Sequence, residues 1–151
     1  MEEALKFKSR EVYEGFQIFL EAWDGGKESI KSVFLQFLST LLELPEAELD
    51  FLERPGVSYS LRAERRSEGD MILFALVDVV DDDPGNRWLS VCFYADAVSD
   101  PQGLGNVIPG GILGKDGYCF DVFKEDASLF KYLVERIREA YELLSDNRPR
   151  Q

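Results

Sequence analysis

The hydrophobic positions of this chain change period once, and the change divides the sequence. Val12, Phe16, Phe19, Leu20 and Trp23 recur at the spacing of one helical face, which predicts a helix over residues 9–23 with Asp24-Gly25-Gly26 as its stop. Ile30, Val33, Phe34, Phe37, Leu38 and Leu41 repeat that spacing over residues 28–44, and the two helices are expected to form an antiparallel hairpin. Pro45 either ends the second helix or opens a short third one, PEAELDFLERP.

After Pro55-Gly56 the period falls to two. Val57, Tyr59, Leu61 and Ala63 alternate with Ser58, Ser60, Arg62 and Glu64, the pattern of a half-buried strand. Three more runs, MILFALVDVV, RWLSVCFYADA and YCFDVF, are set off by RSEGD, by DDDPGN and by a glycine-rich loop. A last amphipathic segment, SLFKYLVERIREAYELL, places Phe130, Leu133, Ile137, Tyr141 and Leu144 on one helical face. The prediction is an α+β fold: two to three N-terminal helices, a four-stranded, mainly antiparallel meander sheet, and a C-terminal helix packed on the sheet. A chain of 151 residues, 45% of them hydrophobic, reads as a single globular domain over 1–151 with frayed ends at about 1–8 and 146–151.

The two central runs can be set in register. With Asp81 facing Asn86, Val77 falls opposite Ser90 and Leu76 opposite Val91. One face then carries Met71, Leu73, Ala75, Val77, Trp88, Cys92 and Tyr94, and the other Ile72, Phe74, Leu76, Leu89, Val91, Phe93 and Ala95. Both faces are apolar, so both need cover from helices, a curled sheet, a partner subunit or a bound apolar ligand. Ile72, Phe74, Leu76, Val91 and Phe93 are the candidate interaction face, and a homodimer is the assembly they would form.

Charge and composition narrow the chemistry. The net charge of −12, from 29 acidic and 17 basic residues, opposes contacts to phosphate, so neither nucleic acid nor an anionic membrane is an expected partner. A basic or amphipathic protein client suits it better. No apolar run reaches the length of a membrane span, and the N-terminal stretch MEEALKFKSR lacks a leader pattern, so a cytoplasmic location is expected. Cys92 and Cys119 sit inside apolar runs and read as buried free thiols of a reducing compartment. The chain contains no histidine, which removes Ser-His-Asp and Cys-His catalysis and every histidine metal site.

The stretch GLGNVIPGGILGKDGY, residues 103–118, invites comparison with phosphate-binding loops. A Walker-type loop would need glycine where Pro109 stands and Ser or Thr where Asp116 stands; a dinucleotide fingerprint would need a small residue at Ile108. Neither pattern fits, and the stretch leads into a strand instead of a helix. Its glycines serve turns, with Val107, Ile108, Ile112 and Leu113 tucked against the sheet end. A loop this long still suits a lid or binding segment, and Lys115, Asp116 and Tyr118, joined by Asp121, are the candidate ligand-binding residues.

Carboxylates offer less. An EF-hand begun at Asp81 puts Asn86 and Cys92 at the sixth and twelfth positions, and one begun at Asp83 puts Trp88 and Tyr94 there. DDDPGN therefore reads as a solvated turn. Asp78, Asp96 and Asp121 on three strands could converge for metal-assisted chemistry, but Asp78 and Asp96 fall roughly 23 Å apart at about 3.3 Å per residue. LRAERR puts Arg62 and Arg66 on the polar face with Arg65 at the solvated turn; the group could bind an anion, but Glu64 between them favours cross-strand pairing on a solvated face. No metal and no cofactor are expected. The sequence thus favours a small non-catalytic binding or regulatory domain, chaperone-like in one version; the alternative is a small-molecule binder or enzyme with its pocket under the glycine-rich loop.

Overall fold

The computed structural model describes residues 2–23 and 28–145. The elements run α1 (Glu2–Leu5), α2 (Arg10–Ala22), α3 (Glu28–Leu42), β1 (Ala47–Arg54), β2 (Ser58–Ser67), β3 (Asp70–Val80), β4 (Trp88–Tyr94), β5 (Asn106–Ile112), β6 (Lys115–Val122) and α4 (Ala127–Leu143). The fold is α+β with one six-stranded sheet, ordered β1-β2-β3-β4-β6-β5, every neighbouring pair antiparallel. No helix among the described residues is long and apolar enough to cross a membrane.

The helices form where the periodicity places them. Ser9 caps α2 by accepting from the Val12 N–H at 3.1 Å. The proposed stop Asp24-Gly25-Gly26 lies outside the described residues. At the C-terminal end of α2, Lys31 of α3 donates to the Leu20 and Trp23 carbonyls at 2.9 and 2.8 Å, putting a cation on otherwise open acceptors. Asp126 caps α4, whose Tyr132, Leu133, Ile137, Ala140 and Tyr141 are buried. Phe16, Phe19, Trp23 and Phe34 pack ring against ring, with Phe51 of β1 joining Phe16 and Phe19.

Two strands lie outside the predicted meander. PEAELDFLERP is no helix: over β1, Ala47, Leu49 and Phe51 turn to the core while Glu48, Asp50 and Leu52 do not. Glu46, at a φ of 66°, makes the tight reversal from α3 into that strand. The second addition is β5, which lies within the glycine-rich stretch. After β4 the chain crosses to the far edge, forms β5, and returns through Leu113-Gly114 so that β6 inserts between β5 and β4. Both turn residues have positive φ, 49° and 84°, the two-residue geometry that matches strand twist.

The register of β3 and β4 also differs from the expected one. Val77 pairs with Val91, Leu76 with Cys92 and Asp78 with Ser90, because the ladder ends at Val80–Trp88 and residues 81–87 form an odd-numbered connection. A bulge adds a second change. Ala63 pairs with Ala75 and Glu64 with Leu73, which leaves Phe74 unpaired and lets Phe74 and Ala75 both join the core. Phe74, Val77, Val91 and Phe93 accordingly lie in the helix-covered core, whereas Leu73, Leu76 and Cys92 form a small cluster with Ile112 on the opposite face. That second cluster contains no helix residue, and it is closed by the hairpin of β5 and β6 folding Ile112 over it.

Four further expectations change. Residues 2–8 are docked at the sheet: Phe7 is buried and bridges Leu49 in parallel, with Lys8 N–H donating to Leu49 O at 2.8 Å and Leu49 N–H to Lys6 O at 2.7 Å. Cys92 and Cys119 face one another across β4 and β6 and are joined by a disulfide, so they are not free thiols, and the argument for a reducing compartment loses its support. Asp81 is not solvated. It is 3% exposed, accepts from Arg87 Nε and from the Gly56 N–H, both at 2.8 Å, and anchors a guanidinium that lies 5.4 Å from the ring centroids of Phe19, Trp23 and Tyr59. Arg65, expected at a solvated turn, is buried over the Tyr141 ring and donates to the Tyr141 carbonyl near the end of α4.

Candidate functional site

The glycine-rich stretch does cradle an anion, and the anion belongs to the chain itself. Asp100 stands just before it. The Leu104 N–H donates to Asp100 Oδ1 at 3.1 Å and the Gly105 N–H to Oδ2 at 2.9 Å. Tyr118 of β6 and Tyr132 of α4 each donate a hydroxyl proton to the same carboxylate at 2.5 Å. Burial would push the Asp100 carboxyl upward, but these four donors outweigh it and hold it well below the usual carboxylate range. The Tyr118 hydroxyl is pushed up, chiefly by its bond to Asp100. Gly105 has to be glycine for this closure: a Cβ there would lie 2.6 Å from Tyr118 and 2.8 Å from Phe120. The network ties the crossing segment to β6 and α4.

The four candidate ligand-binding residues do not converge. Tyr118 is engaged with Asp100 on the helix side of β6. Asp116 accepts from the Gly110 N–H at 3.0 Å and braces the hairpin. Lys115 and Asp121 share the opposite face of β6 but stand six residues apart, roughly 20 Å at about 3.3 Å per residue. Of the candidate interaction residues, Phe74, Val91 and Phe93 are 0–2% exposed inside the chain's own core, Leu76 is buried on the other face, and Ile72 is half-buried.

The carboxylates separate likewise. Asp78 and Asp121 both flank Ser90 in one cross-strand row, while Asp96 follows the end of β4. Burial pushes the Asp78 carboxyl up against a hydrogen bond from Ser60 and the charges of Arg62 and Arg54, and burial pushes Asp121 up as well. No group of three or more potential metal ligands is assembled among the described residues.

Two surfaces remain. The first is the free edge. Of the two outer strands, β1 carries the Lys6–Lys8 segment across part of its edge, whereas nothing among the described residues pairs on the outer side of β5. Val107, Ile108 and Leu113 are 52, 42 and 74% exposed on this one hairpin, and Leu104 just before it is 45% exposed. The hairpin's outer strand is also uncharged on an acidic protein, since no charged residue occurs from Pro101 to Gly114. The second surface is a cleft. The β3–β4 ladder stops at Leu76–Cys92; beyond it β3 keeps to β2, β4 keeps to β6, and a cavity of about 560 Å³ opens between them. Neither surface has a local motif; a hint lay in the acid-free run itself. The protein is thus an α+β domain with a bare, neutral sheet edge and a split in its sheet. No protein family, curated protein or solved structure matches the chain.

Proposed function

We propose that the protein is a non-catalytic protein-interaction module whose docking element is the hairpin of β5 and β6, and that a second copy of the chain is its occupant. The observation that carries this reading is the exposed edge of β5, with Val107 and Ile108 open to solvent and no strand paired on its outer side among the described residues. Self-pairing suits the local charge: copies bearing −12 repel one another, yet the segment between Asp100 and Asp116 holds no acid. Antiparallel pairing of two such edges across a twofold axis is closed, so it ends at a dimer. Pro109 and the irregularity between Ile108 and Ile112 keep the pairing short and discourage longer, open association. The non-catalytic part draws support from the missing histidine and from the use of Asp100 and Tyr118 within the structure itself.

The experiment is analytical ultracentrifugation of the protein and of a Val107→Lys, Ile108→Lys variant, with circular dichroism as a check on folding. The reading expects a reversible dimer for the protein and a folded monomer for the variant. A protein monomeric at every concentration, or a variant that still dimerises, refutes self-pairing through this edge.

A further inference from the structure

Where β3 and β4 part, Leu73 from one face and Phe74 and Leu143 from the helix side bring apolar surface, and Tyr94, Asp96 and Lys115 bring polar groups, to the same cavity. The bulge at Phe74 creates the split, because the strand that absorbs it can no longer follow its neighbour on both sides. The side of β3 that faces away from β2 thus carries no ladder from Asp70 to Ala75. At about 560 Å³ the space suits a small molecule, not a protein segment.

The charges lining the cleft define the ligand. Lys115 makes no ion pair among the described residues, and its ammonium stands 5.7 Å from the Tyr94 ring centroid. Glu64, also in the lining, is matched by Lys8 at 3.0 Å, whereas Asp96 has no ion-pair partner among the described residues. One free cation and one free carboxylate beside apolar surface disfavour a simple anion, a simple cation and a neutral hydrocarbon alike.

We propose that this cleft binds a free α-amino acid with a large apolar side chain, its carboxylate on Lys115, its ammonium on Asp96 and its side chain against Leu73, Phe74 and Leu143. The cleft shares Leu113 and Lys115 with the hairpin of β5 and β6 but does not use the outer edge of β5, so titration of the cleft and the oligomeric state are read separately.

The test is isothermal titration of the whole protein with L-phenylalanine and L-leucine, beside N-acetyl-L-phenylalanine and L-phenylalaninamide, each of which lacks one of the two charges. Saturable binding of at least one free amino acid is expected, with both derivatives about tenfold or more weaker, the range for truncating one partner of a charge pair. Lys115→Met and Asp96→Asn should each weaken the amino acid about tenfold or more. Both positions are exposed, so the variants should melt with the parent protein, which separates lost binding from lost folding. No saturable binding of either amino acid, derivatives that bind as well as their parent, or variants that bind unchanged would each overturn the proposal.

Discussion

Removing the Cys92–Cys119 disulfide probes the central ladder most sharply. The bond closes a segment with a sequence separation of 27, which contains the crossing segment and β5. Restricting a loop of that length in the unfolded chain is worth about 3.5 kcal/mol at 25 °C in the chain-entropy account. For a domain of this size each kcal/mol moves the melting temperature by roughly 2–4 °C, so reduction should lower it by roughly 7–14 °C. The assay is paired thermal and denaturant unfolding of oxidised protein, reduced protein and a Cys92→Ala, Cys119→Ala variant. Thiol titration in denaturant supplies the control: no reactive thiol before reduction and both cysteines afterwards. Reduced and oxidised proteins that unfold within about 1 kcal/mol of each other would refute the entropic reasoning. Two reactive thiols before reduction would refute the bond.

Asp100→Asn should destabilise the protein by roughly 1–3 kcal/mol at neutral pH, the worth of hydrogen bonds to a charged acceptor in a partly open site. Because the Asp100 carboxyl is held below its ordinary pKa, that stability is complete above pH of about 4 and fades as pH falls further, so variant and parent should converge in acid denaturation profiles. Asp78 has the opposite sign: burial raises its pKa, so the fold loses stability as pH rises through the raised value, and Asp78→Asn should melt higher than the parent at neutral pH. Asp81→Ala leaves Arg87 and the Gly56 N–H without their carboxylate and should cost about 3–5 kcal/mol in denaturant unfolding.

Much of this fold was legible because its helices repeat cleanly: Phe16, Phe19, Phe34 and Phe37 announce the core by spacing alone. β1 was hidden by composition. Ala, Glu and Leu are strong helix formers, and in AELDFLER they outvote an alternation of Ala47, Leu49 and Phe51 that was there to be read. β5 was hidden for the converse reason, since NVIPGGI carries Pro109 and two glycines and lacks a buried alternation; only Ile112 is buried. The core face of β3 and β4 depended on the length of the connection from Asp81 to Arg87 and on one bulge at Phe74, each of which shifts side chains between faces. The disulfide needed β6 beside β4, which in turn needed the unread β5. Asp100 meets Tyr118 and Tyr132 across 18 and 32 residues, separations at which a single sequence carries no local signal.

Hydrogen exchange read peptide by peptide, at high and at low protein concentration, tests the edge-pairing account most directly. If two copies pair through β5, amides of Asn106 to Ile108 gain protection as concentration rises, and the helix surfaces of α2 and α4 do not. Concentration-independent exchange over β5, or new protection confined to the helices, would contradict it.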